Sequence, residues 1–172
     1  MAYVSQTHQE QLPIPLHFTL NSIGTVIPSG ASPLIEHSLP GPQDFEDVMR
    51  RTVQLVGTTV PRSTLQKVAD LLHALLWEFP DNGVRIYFLV NDQGDVDCAT
   101  EWSGQVDSVI TMDAATFHKA AFGKASFGAA MVMGKLHVQG ISPLNLGKFT
   151  SLLKPFLDSY RQACDELYDP AK

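Results

Sequence analysis

The side chains able to do chemistry are spread thinly along this chain. It holds 6 histidines, 2 cysteines and 18 carboxylates in 172 residues. His8, His17, His37, His73, His118 and His137 include no pair at the i, i+4 spacing of a helical metal site. Cys98 and Cys164 make neither a CxxC nor a zinc spacing, and read as core or surface thiols. Asp92, Asp95 and Asp97 resemble the start of a calcium loop. The twelfth position counted from Asp92 is Ser103, where that loop needs Glu, so the three read as a solvated acidic turn. There is no Walker loop, no HExxH, no GxSxG and no strand followed by GxGxxG. No metal, no cofactor and no catalytic residue is therefore assigned. His118, beside Lys119, has the chemistry of a general base, but the sequence supplies it no partner.

What the sequence does concentrate is apolar surface. Phe117, Ala120, Ala121 and Phe122 are followed almost without interruption by Phe127, Ala129, Ala130, Met131, Val132 and Met133. Leu144, Leu146, Phe149, Leu152, Leu153, Phe156 and Leu157 complete the set. Two readings stand side by side: an efficient core, or the wall of an apolar cavity. Methionine repacks easily and small residues leave room, which suits an adaptable pocket.

Composition narrows the class. The chain is 44% hydrophobic and 17% charged, with a net charge of −6. An acidic balance argues against nucleic acid as a partner, because that surface selects a basic face. The longest apolar run, Ile86–Val90, is strand-sized and far below the ~20 residues of a membrane span. The N-terminus lacks the basic patch and apolar stretch of a signal peptide, and the expected compartment is the cytoplasm. Residues 1–43 carry only Glu10 and Glu36 as charges, and six of the 11 prolines. They read as a proline-rich arm, and residues 44–172 as the folded domain.

The elements that must position the apolar stretch follow from periodicity. Asp44 reads as the cap of a helix to about Val56, and Ser63 with Gln66 as a capping box. Leu65, Val68, Ala69, Leu72, Leu75, Leu76 and Phe79 extend that second helix to Pro80. Strands are expected over Val84–Val90, Val96–Trp102 and Val106–Met112, joined by short turns into an antiparallel meander. Asp113 caps a helix to Phe122, Ser126–Met133 is a short apolar helix, and Lys135–Val138 is a fourth strand. The last helical stretch runs from Pro143 to about Tyr168, with a break or kink expected at Pro155. The class is α+β, with strands in one sheet and helices on one side.

Gly123-Lys124, nine residues, then Gly134-Lys135-Leu136-His137-Val138-Gln139-Gly140 resembles the signature of the sterol carrier protein type-2 (SCP2-like) domain. Asp107–Asp113 matches that family's strand ending in an acid, and Phe117 its helical Phe. The resemblance covers about residues 83–157. It implies an antiparallel-dominated sheet of four to five strands, covered on one face by helices that enclose an apolar tunnel. It also implies binding and transfer of fatty acids, fatty acyl-CoA, sterols or other lipids. By position, the tunnel would be lined by Trp102, Phe117, Ala121, Phe122, Phe127, Ala130, Met131, Met133, Leu146, Phe149, Leu153 and Phe156.

Three departures from the family pattern matter. Met133 stands where members often carry Gln, which removes a polar anchor and makes the pocket drier. The strand that members place before Val84–Val90 is missing, since Phe79 leads through one turn into it; Leu16–Leu20 of the arm is expected to supply that strand. The chain ends Pro170-Ala171-Lys172, so no peroxisomal tripeptide is expected. Two other functions stay open. One is an enzyme on the same cavity, acting on an apolar substrate through Thr100, Glu101, Asp113 or His118. The other is an interaction module with a filled core, homodimerising through the arm.

Overall fold

A computed structural model describes residues 38–168, with the side chains of all of these except 143, 144 and 146–150. Helix α1 spans Pro42–Thr59, and its apolar residues recur every three or four positions. Phe45, Val48, Met49, Val53 and Val56 therefore share one buried face. Pro42 opens the helix, where its missing N–H is not needed. Asp44 lies inside the first turn instead of at the cap, which is Gly41. Helix α2, Arg62–Ala69, begins after Pro61 without a side-chain cap, so Ser63 is within the helix and the expected capping box is not formed.

The second helix is much shorter than its apolar spacing predicts. Ala74–Phe79 is strand β1, and five of its six side chains are buried. Burial on both faces erases the alternation that marks a half-exposed strand, and Leu75, Leu76 and Phe79 happen to continue the helical spacing from Leu65. Strand β1 turns through Pro80–Gly83 into β2, Val84–Val90, with Phe79 opposite Val84 and Ala74 opposite Leu89. Gly83 takes φ +74° in that turn, which its lack of a Cβ permits. Strand β3, Val96–Ala99, forms the next hairpin with β2 and stops short of Trp102.

Strand β4, Ser108–Met112, does not continue the meander. It crosses to the other side of β1 and pairs with it in parallel, Leu75 opposite Ser108. Asp107 fixes the arrangement, its Oδ2 accepting from the backbone N–H of His73 at 2.7 Å and of Ala74 at 3.0 Å. Helices α3, Ala114–Ala121, and α4, Phe127–Val132, lead to β5, Leu136–Gln139, which pairs antiparallel with β4. The sheet order is β3-β2-β1-β4-β5. It is an α+β fold with a mostly antiparallel five-stranded sheet, as expected, and β1 at its centre.

Strand β1 occupies the place of the strand thought to be missing, so nothing from the arm is needed there; Leu16–Leu20 lie outside the described residues. Helix α5 runs Pro143–Tyr168 as one element, with Pro155 inside it rather than at a junction of two helices. One face of the sheet forms the core with the helices: Val84, Ile86 and Phe88 of β2, Leu75, Trp77 and Phe79 of β1, Ile110 and Met112 of β4, and Leu136 of β5. Helix α1 packs against α5 and over β2 and β3.

Candidate apolar ligand site

The aromatic residues of this core converge on Phe117, which is fully buried on α3. Its ring meets Tyr160 at 4.9 Å, Trp77 and Phe79 each at 5.5 Å, Phe127 at 6.1 Å and Phe156 at 6.4 Å, all edge to face. Such contacts add about 0.5–1.5 kcal/mol each beyond burial. Trp77 and Phe156 stack, with centroids 5.4 Å apart. A narrow apolar void of about 10 Å³ remains between sheet and α5, walled by Leu75, Trp77, Phe88, Leu152, Leu153 and Phe156. The indole Nε1 of Trp77 is buried with no hydrogen-bond partner among the described residues. A buried donor left unpaired costs about 1–3 kcal/mol.

Two devices hold the helical wall against the sheet. Asp81, in the β1–β2 turn, accepts from the backbone N–H of Ala114 at 2.8 Å and of Ala115 at 3.4 Å. It thus caps α3 from a different part of the chain, while Asp113 at the N-cap position makes no side-chain cap. At the other end of α3, the Arg161 guanidinium of α5 donates to the carbonyl of Ala121 and pairs with Asp158. Asp158, also bonded to Lys154, has its carboxyl held below the usual range by that lysine and by Arg161. Helix α4 is started by Ser126, whose Oγ accepts from Ala129 N–H.

The polar groups that could turn this cavity to catalysis do not converge. His118 alone enters the core, its Nδ1 3.0 Å from the Tyr160 hydroxyl. Asp113 and Glu101 are exposed, and Thr100 accepts from Arg50 of α1 at 3.1 Å. Burial raises the Tyr160 hydroxyl far above its ordinary range. Burial likewise pushes the Cys164 thiol up to about 12 and the Cys98 thiol up to about 11. In the acidic turn, Asp92 bonds His73 at 2.9 Å, and Asp95 is held low by Asn91 and Arg62.

Of the residues expected to line a tunnel, Phe117, Ala121, Ala130 and Phe156 are buried in this core, and Phe122, Phe127 and Leu153 are half-buried. The side chains of Leu146 and Phe149 are outside the description. Trp102, Met131 and Met133 are 43%, 42% and 63% exposed and do not join the cluster. Trp102 sits in the β3–β4 loop with its Nε1 donating to the carbonyl of Gln105. Leu75, Trp77 and Phe88 wall the void without having been assigned to it by sequence, and Leu152, named in the apolar stretch, was not among the expected tunnel residues. The signal that could have found Trp77 was the Pro80–Gly83 turn, which can close a hairpin as well as end a helix.

The chain matches the SCP-2 sterol transfer family over residues 57–154. No curated protein matches it. Among solved structures, it is 22% identical to the sterol carrier protein domain 2 of Helicoverpa armigera, covering 74% of this chain and 94% of that one, with a TM-score of 0.48. It is 19% identical to the apo form of sterol carrier protein 2 from Yarrowia lipolytica, covering 72% and 95%, with a TM-score of 0.45. It is also 19% identical to a structure described as UbiJ-SCP2 ubiquinone synthesis protein, covering 67% and 95%, with a TM-score of 0.44. Carrying the glycine–lysine signature and matched over more than half its length, the chain belongs to the SCP-2 sterol transfer family.

Proposed function

We propose that this protein binds fatty acids, fatty acyl-CoA, sterols or other lipids between its sheet and helices α3–α5, and passes them on from a cytoplasmic pool. Membership of a sterol transfer family supports lipid or sterol binding and transfer in general. The observation that carries the site is the unpaired indole N–H of Trp77 beside an apolar void. A ligand oxygen accepting from that N–H offsets its desolvation, and the apolar walls take the hydrocarbon. Each buried methylene contributes about 0.8 kcal/mol, so ten supply about 8 kcal/mol before the costs of ordering. The void as it stands admits about one water. Uptake therefore requires Leu152, Leu153 and Phe156 on α5 to move away from Leu75, Trp77 and Phe88. Phe117, Phe127 and Ala130 are the further wall in this reading.

The test reads Trp77 directly. In a Trp102→Phe background, titration with a long-chain fatty acid is expected to shift and quench the remaining tryptophan emission saturably. An unchanged spectrum under ligand excess contradicts the site. The dense aromatic packing around Phe117 favours a second reading, an interaction module with a filled core. That reading predicts no lipid uptake at all.

A further inference from the structure

We propose that the outer side of α4 is a docking surface for an anionic lipid membrane. Helix α4 shows the core only one side, through Phe127 and Ala130. Val132 points away from that side, and Met131 and Met133 flank it; the three are 89%, 42% and 63% exposed. Three consecutive apolar residues at that exposure are not needed by this fold, and such patches mark a surface with a partner.

Charge identifies the partner. The whole chain is acidic, with a net charge of −6. Between Asp113 and Asp158, however, there is no acidic residue, and there are five lysines: Lys119, Lys124, Lys135, Lys148 and Lys154. Three of these bracket the apolar tip. Lys119 lies in the last turn of α3 and Lys124 in the turn after it, its N–H donating to the carbonyl of Lys119 at 2.7 Å. Lys135 follows α4, its N–H donating to the carbonyl of Ala130 at 2.8 Å. All three are exposed. Helix α4 has six residues and is about 9 Å long, so lysines stand at both of its ends. An apolar tip between cations is the chemistry of an interfacial anchor, with methionine and valine entering the acyl boundary and ammonium groups among anionic headgroups. The same helix lines the core through Phe127, so docking here sets the candidate ligand site beside the membrane.

The experiment is co-sedimentation of the full chain with vesicles of phosphatidylcholine alone or with one third phosphatidylserine. Binding is expected only with phosphatidylserine and is expected to weaken with added salt. Val132→Ser should lower partitioning roughly tenfold, and Lys119→Gln with Lys135→Gln about 30-fold. Circular dichroism and melting temperature should match the parent, since all three side chains are exposed. Equal binding to both vesicle types, or binding unaffected by these substitutions, overturns the proposal. So does self-association in solution that Val132→Ser abolishes, which would make a second copy the occupant. Sedimentation reads docking and not ligand uptake, so either property can fail alone.

Discussion

The indole of Trp77 lies on the ring of Phe156 with their planes 12° from parallel. One ring comes from the central strand and the other from α5, so this contact bridges sheet and last helix beside the void. Truncation by Phe156→Ala is expected to cost about 3–5 kcal/mol. Melting should fall by roughly 10 °C at about 2–4 °C per kcal/mol. The same change enlarges the void, so a long-chain fatty acid should raise the variant's melting temperature more than the parent's. Thermal melts of both proteins with and without the acid check this. A variant whose melting ignores the ligand argues against a site at Phe156.

The cap on α3 gives a paired prediction. Asp81→Ala removes the acceptor for Ala114 N–H and should destabilise the fold by about 1 kcal/mol. Asp113→Ala, at the position sequence alone would choose, should change stability by only a few tenths, about the scale of a surface substitution. Urea unfolding of the two variants separates them. Equal losses would mean that Asp81 does not act as the cap.

Much of the fold was legible because its punctuation has physical causes. The glycines of the signature, Gly123, Gly134 and Gly140, all take positive φ, from +68° to +85°. A pattern of glycines that backbone geometry requires can be read without coordinates. Strand β1 could not be read in this way. Its identity is set by neighbours on both sides, β2 and β4, and not by its own period. With β1 taken for helix, the parallel β1–β4 pair was invisible, and so were Trp77 and Leu75 as walls of the void. Met131 and Met133 illustrate the opposite error. Their apolar character is plain in the sequence, but which side of a six-residue helix meets the core is decided by packing.

Gly140 offers a sharper test of the β4–β5 edge. A Cβ there would lie 2.1 Å from the carbonyl oxygen of Asp107, at φ +85°. Gly83 has φ +74° but nothing within 4 Å of its Cβ position. Gly83→Ala should therefore cost only the left-handed strain, about 1–2 kcal/mol. Gly140→Ala should cost clearly more, because backbone must move as well. Chemical denaturation of both variants is the check, and equal costs would show that β5 does not close on Asp107 as described.

The two thiols predict an alkaline limit. Their ordinary value is 9.0, and burial raises Cys98 to about 11 and Cys164 to about 12. A group whose value is raised on folding supports the fold fully below its unfolded value, and that support is lost as pH rises through the folded value. Stability should thus decline from about pH 9 toward pH 11–12, and less steeply in a Cys98→Ala, Cys164→Ala variant. At pH 8 a thiol reagent should label the folded protein far more slowly than the unfolded chain, since the thiolate is the reactive form. Rapid labelling of Cys164 in the native state would contradict its burial.

The central claim is that a lipid occupies the space between Trp77 and α5. Native mass spectrometry of the freshly purified full chain tests it most directly. The account predicts the polypeptide mass together with a second species heavier by one lipid, and conversion to a single fatty-acid adduct after incubation with excess acid. A spectrum showing only the bare polypeptide, before and after that incubation, would contradict it.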